Sequence, residues 1–140
     1  MRPSRAVIPT VVTLILTFAG PALAQANGPR GFAGEYVMEG WGLDPRGAGY
    51  RGSCSVLGDG PAYRVSCINS DTGIAYVGRG LALGDTLSIL VGEEMRGDDE
   101  WLGVDEYLVL YRRQANGVLD GLWISERSGT AGVETLTPTP

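Results

Sequence analysis

The 140-residue sequence predicts an all-β domain, on three observations. Clusters of turn-forming residues recur at intervals of roughly 8 to 15 positions. No segment beyond Ala24 sustains a helical period, whereas apolar and polar residues alternate between the turns. Glycine is abundant, with 22 residues, and shows no collagen-like period.

The elements follow in order. Glu35–Trp41 reads as a first strand, ended by Gly42 and the turn Asp44-Pro45-Arg46-Gly47. Tyr50–Leu57 and Ala62–Ile68 flank Gly58-Asp59-Gly60-Pro61, a dense turn signal, and so form a hairpin. Asn69-Ser70-Asp71-Thr72-Gly73 turns the chain into Ile74–Gly80. Gly84-Asp85 leads into Thr86–Val91, where Leu87, Ile89 and Val91 alternate with Thr86 and Ser88. An acidic loop, Gly92–Glu100, precedes the strongly apolar strand Glu106–Arg112. Asn116-Gly117 is the strongest hairpin turn, because both positions tolerate positive φ. Val118–Ser125 returns from it, and Gly129–Gly132 leads into Val133–Thr137, which Pro138 and Pro140 stop.

Eight short strands joined by tight turns make either a closed barrel or, as the alternative, a two-sheet sandwich. Consecutive hairpins favour a meander, so the expectation is a single eight-stranded antiparallel up-and-down barrel, lipocalin- or avidin-like. Its first strand should lie beside its last. The strand glycines Gly40, Gly52, Gly78, Gly80 and Gly121 suit the bends of a small barrel. Such a barrel is just wide enough to be filled by side chains or to hold one small ligand. Membrane barrels need strands of about 9–11 residues, longer than these, so no membrane insertion is expected.

Three segments divide the chain. Residues 1–24 read as a signal peptide: Arg2 and Arg5 form the positive start, Ala6 to Ala19 the apolar stretch, and Ala22-Leu23-Ala24 the cleavage pattern. Residues 25–33 are expected to be a flexible leader, and 34–138 the barrel domain. A periplasmic or secreted location follows. In such an oxidising compartment the two cysteines, Cys54 and Cys67, should pair. A turn centred on Gly60 and Pro61 sets them directly opposite.

Composition narrows the chemistry. Histidine and lysine are absent, which removes Ser-His-Asp triads, histidine metal sites, Schiff-base lysines and phosphate-loop lysines. Without the signal, nine arginines face 16 acids, a net charge of −7. That excess argues against a nucleic-acid partner, whose phosphates call for cations.

The segments Gly117–Trp123, G-V-L-D-G-L-W, and Gly132–Pro138, G-V-E-T-L-T-P, carry a resemblance. The chain resembles small exported proteobacterial proteins of mostly unknown function whose glycine-rich strands end in G-x-L-x-G-x-W and G-x-E-x-L-T-P. Some of these bear a fibronectin-binding label. The resemblance covers Gly34 to Pro138 and implies no catalytic residues. It also implies that the cysteine pair is a local addition, since the family pattern has apolar residues there.

Glu93, Glu94, Asp98, Asp99 and Glu100 crowd the acidic loop, and Trp101 stands at its edge. Acidic turns are normally solvated, and this spacing matches no EF-hand, so no metal is expected. If a protein partner exists, these six residues are the candidate surface, and they favour a basic one. Arg96-Gly97-Asp98 spells an integrin-recognition tripeptide, and with nothing else pointing to a host-cell partner it is read as a coincidence of composition. Trp41, Trp101 and Trp123, with Tyr36, Tyr50, Tyr63, Tyr76, Tyr107 and Tyr111, either fill the barrel or line its mouth for a small apolar ligand. The expected function is therefore an exported non-catalytic binding module without a cofactor. The alternatives are a periplasmic protease-inhibitor-like barrel using Gln25–Phe32 as a free segment, and a small hydrolase without histidine.

Overall fold

The computed structural model describes residues 31–44, 46–94 and 105–140. Eight antiparallel strands close on themselves in chain order. They are β1 (Gly34–Gly42), β2 (Tyr50–Leu57), β3 (Ala62–Asn69), β4 (Ala75–Leu83), β5 (Thr86–Glu94), β6 (Glu106–Arg113), β7 (Leu119–Ser125) and β8 (Ala131–Pro138). β1 pairs with β8 from Tyr36↔Pro138 to Gly42↔Gly132, so the barrel is the meander expected and not a sandwich.

The β2–β3 hairpin has the register that its turn implies. Cys54 faces Cys67 across the ladder, and the two sulfurs are bonded at 2.04 Å. Closing a loop with a sequence separation of 13 stabilises the fold by about 3 kcal/mol on entropic grounds. It is a bond of the kind that persists in oxidising compartments.

Several strands run further than expected, and two of these extensions move a turn or loop. β4 continues past Gly80 to Leu83, pairing Leu83 with Thr86, so Gly84-Asp85 alone forms the turn and Gly84 takes φ 62°. The acidic loop begins later than predicted, because Gly92, Glu93 and Glu94 stay in β5 opposite Val77, Tyr76 and Ala75. Ladder hydrogen bonds, which the side-chain pattern does not report, set both ends.

Alternation assigns each strand an inner face. Tyr36 and Met38, Cys54 and Val56, Tyr63 and Val65, Leu87 and Ile89, and Leu119 and Leu136 are buried. The interior is closed at the end where β1 begins. Phe32, 2 % exposed, packs edge-on against Tyr63, with ring centroids 5.7 Å apart. Its carbonyl accepts from the Tyr36 hydroxyl at 2.7 Å, and the Arg113 guanidinium stacks 4.6 Å from its ring centre. Phe32 lies within the segment 25–33, and its burial follows because a phenylalanine that can reach the apolar interior is more stable there than solvated. Residues 25–30 and the signal segment lie outside the described residues.

The outer wall is less polar than solvent-facing strands usually are. Leu90, Leu108, Leu110, Leu122, Ile124 and Val133 are between 37 % and 58 % exposed and adjoin one another through the β5–β8 ladders.

Candidate functional site: an aromatic cup with a buried carboxylate

Among the described residues, nothing closes the other half of the interior, away from Phe32. A cavity of about 340 Å³ occupies it, within the range of small-molecule sites. Tyr50, Tyr76, Tyr107, Tyr111 and Trp123 supply ring walls, and Met38, Val65, Ile89, Val91 and Val109 supply aliphatic surface. Tyr107 packs edge-on against both Tyr76 and Trp123, at centroid distances of 5.7 and 5.9 Å, so the rings hold one another. The aromatic set thus divides its work. Tyr36 and Tyr63 fill the closed end, five rings line the cup, and Trp41 lies outside at 48 % exposure. Trp101 is outside the described residues.

Glu134 is the one carboxylate among the described lining residues, and it is 8 % exposed. Its position comes from one row of the barrel. Tyr50 pairs with Gly40, Gly40 with Glu134, Glu134 with Gly121, and Gly121 with Tyr111. Both immediate neighbours of Glu134 are therefore glycines. A Cβ at Gly40 would collide with the Tyr50 ring, and one at Gly121 with the Tyr111 ring. With those positions bare, each tyrosine lies across a glycine and reaches the acid between them. The Tyr50 hydroxyl donates to Glu134 Oε2 at 2.6 Å, and the Tyr111 hydroxyl donates to Oε1.

The electrostatics follow from this burial. Desolvation pushes the Glu134 carboxyl above its ordinary value of 4.5, while the two phenol donors, which favour the anion, pull the other way. Desolvation also raises Tyr50, Tyr76, Tyr107 and Tyr111, and nearby carboxylates add to it. The phenols stay protonated and remain donors. Trp123 Nε1 sits beside the Tyr50 hydroxyl, close enough to lower that phenol's pKa. It nevertheless makes no hydrogen bond of good geometry, and among the described residues it is the buried polar side-chain atom left without one.

The rim at the open end is acidic. Glu93 closes the inner face of β5 beside Tyr76. Asp105 accepts from the Ser125 hydroxyl at 2.8 Å and from the Arg127 amide at 3.2 Å, fixing the start of β6 to the β7–β8 turn. Desolvation, the largest single effect, raises its carboxyl, but these donors, Tyr107 and the Arg127 charge together hold it below its ordinary value.

Of the residues expected at a partner surface, Glu93 and Glu94 end β5, with Glu93 on the inward face. Asp98, Asp99, Glu100 and Trp101, and the Arg96-Gly97-Asp98 tripeptide, lie outside the described residues. Among the described residues no three Cys, Asp or Glu side chains converge as a metal set. Sequence reasoning missed Glu134 although the signal was present: Gly132, Glu134 and Leu136 share one face of β8, and Leu136 is plainly core. An acid at an inward position was the clue.

No protein-family model matches the chain, and no curated protein matches it at a significant level.

Proposed function

We propose that this chain is a periplasmic or secreted, non-catalytic binding protein whose barrel takes up one small, largely apolar ligand. The observation that carries the reading is the cavity of about 340 Å³, walled by five aromatic rings and open at one end. A barrel that served only as a scaffold would gain packing energy by filling that space, since empty interior forfeits dispersion contacts. The disulfide and the signal-like start are consistent with export.

The other readings have less support. A protease-inhibitor role needs Gln25–Phe32 free to enter a cleft, and Phe32 is buried beneath Arg113. A histidine-free hydrolase of the two-carboxylate kind needs a second acid beside Glu134, which is the lone carboxylate among the described lining residues.

The test is ring-resonance NMR of the mature chain titrated with small apolar compounds. Resonances of Tyr76, Tyr107 and Trp123 should shift together and saturate at one equivalent. If no compound moves them, or only outer-wall methyl groups such as those of Leu122 respond, the cup is not a binding site.

A further inference from the structure

Resting on the reading of the barrel as a ligand cup, we infer that the ligand is an organic ammonium ion, its charged head held among the tyrosine and tryptophan faces beside Glu134 and its apolar body toward the mouth.

Glu134 lacks a counter-charge among the described lining residues. Buried carboxylates in proteins are normally paired with a cation or a metal, because desolvating an isolated charge is costly. Glu134 has two phenol donors and no cation: no arginine lines the cavity among the described residues, and lysine and histidine are absent from the chain. Arg113, the inward-facing cation of β6, is engaged at the opposite end over Phe32. A ligand cation would complete the site.

The cavity wall is suited to the same ligand. Tyr50, Tyr76, Tyr107, Tyr111 and Trp123 present π-faces and edges around the space next to Glu134. Ring faces are the negative ends of the aromatic quadrupole, and cages of such rings select ammonium groups, most strongly when desolvated. A purely apolar ligand would be served as well by leucine and valine. On approach, Glu93 and Asp105 at the rim, with a net charge of −5 for the whole chain, attract cations and repel anions.

The test uses benzyltrimethylammonium and its uncharged carbon isostere neopentylbenzene, titrated into the mature wild-type chain and into Glu134→Gln. The wild type should bind the cation roughly tenfold or more tightly than the isostere. Glu134→Gln should lose most of that preference while still binding the isostere, with its strand signal in circular dichroism retained. Should the variant fail to fold, a chain that keeps Glu134 supplies the same information through pH. The groups facing Glu134 are Tyr50 from β2, Tyr76 from β4, Tyr111 from β6 and Trp123 from β7, none of which titrates in acid. Glu134 is raised above its ordinary value; of the rim acids, Asp105 is held below its own, and Glu93 is removed as Glu93→Gln for this series, so lowering the pH through the Glu134 transition should erase the preference. Equal binding of cation and isostere, or a preference that survives both the substitution and acid, overturns the inference and leaves the cup reading standing. Failure of both probes to bind overturns both.

Discussion

At Glu134 two opposing effects meet. Burial disfavours the anion, and two phenol hydroxyls favour it; burial wins, so the folded-state pKa lies above 4.5. The sign of the stability effect follows. A carboxyl with a raised folded pKa binds its proton more tightly when folded, so its contribution is fully present below the unfolded value and is lost as pH rises through the folded one. Glutamine cannot titrate, and its amide can still meet both phenols. Chemical denaturation of wild type and Glu134→Gln between about pH 4 and about pH 8 should show the wild type losing stability relative to the variant as pH rises. A relative gain over that window would mean that the phenol bonds outweigh burial. Exposed ions contribute far less: the Arg51–Glu39 pair, at 3.2 Å on the outer wall, has the modest worth of a solvated bridge.

At the scale of strands, the glycines and rings of β1, β2, β6, β7 and β8 act as pairs. The Tyr111 ring lies so close over Gly121 that an added Cβ would sit 2.5 Å from its Cδ1. Gly121→Ala should therefore push the ring from Glu134 and cost about 1–3 kcal/mol, the usual range for overpacking, measurable by urea unfolding. An unchanged midpoint would show that Tyr111 is not seated as described. Much of the element order was legible because turn residues announce themselves: Asn116-Gly117, Gly84-Asp85 and the Gly58–Pro61 cluster each mark a hairpin, and the last of these fixed the Cys54↔Cys67 register. The ends of β4 and β5 were not legible, since backbone pairing extends a strand wherever its neighbour offers partners, whatever the side chain. The cup was half legible. Aromatic residues at inward positions can fill a barrel or line it, and the choice depends on how five rings from four strands meet in space. Period-two patterning says which face a residue takes and nothing about its depth along the barrel.

Across the whole molecule, the two ends of the barrel differ. One is stoppered by Phe32, Tyr36 and Tyr63, with Leu87, Leu119 and Leu136 completely buried. The other holds a ligand-sized space. That asymmetry is the central claim, and filling the space tests it. Val109 lies on β6 opposite both Ile89 and Trp123, 6 % exposed, and lines the cavity. In a filled core, Val109→Phe would force rotamer and backbone shifts costing about 1–3 kcal/mol. In an open cup the larger ring enters vacant volume and gains contacts. The decisive measurement is the thermal unfolding midpoint of Val109→Phe against wild type: an unchanged or raised midpoint is the predicted result, and a fall corresponding to about 1–3 kcal/mol would contradict the open cup.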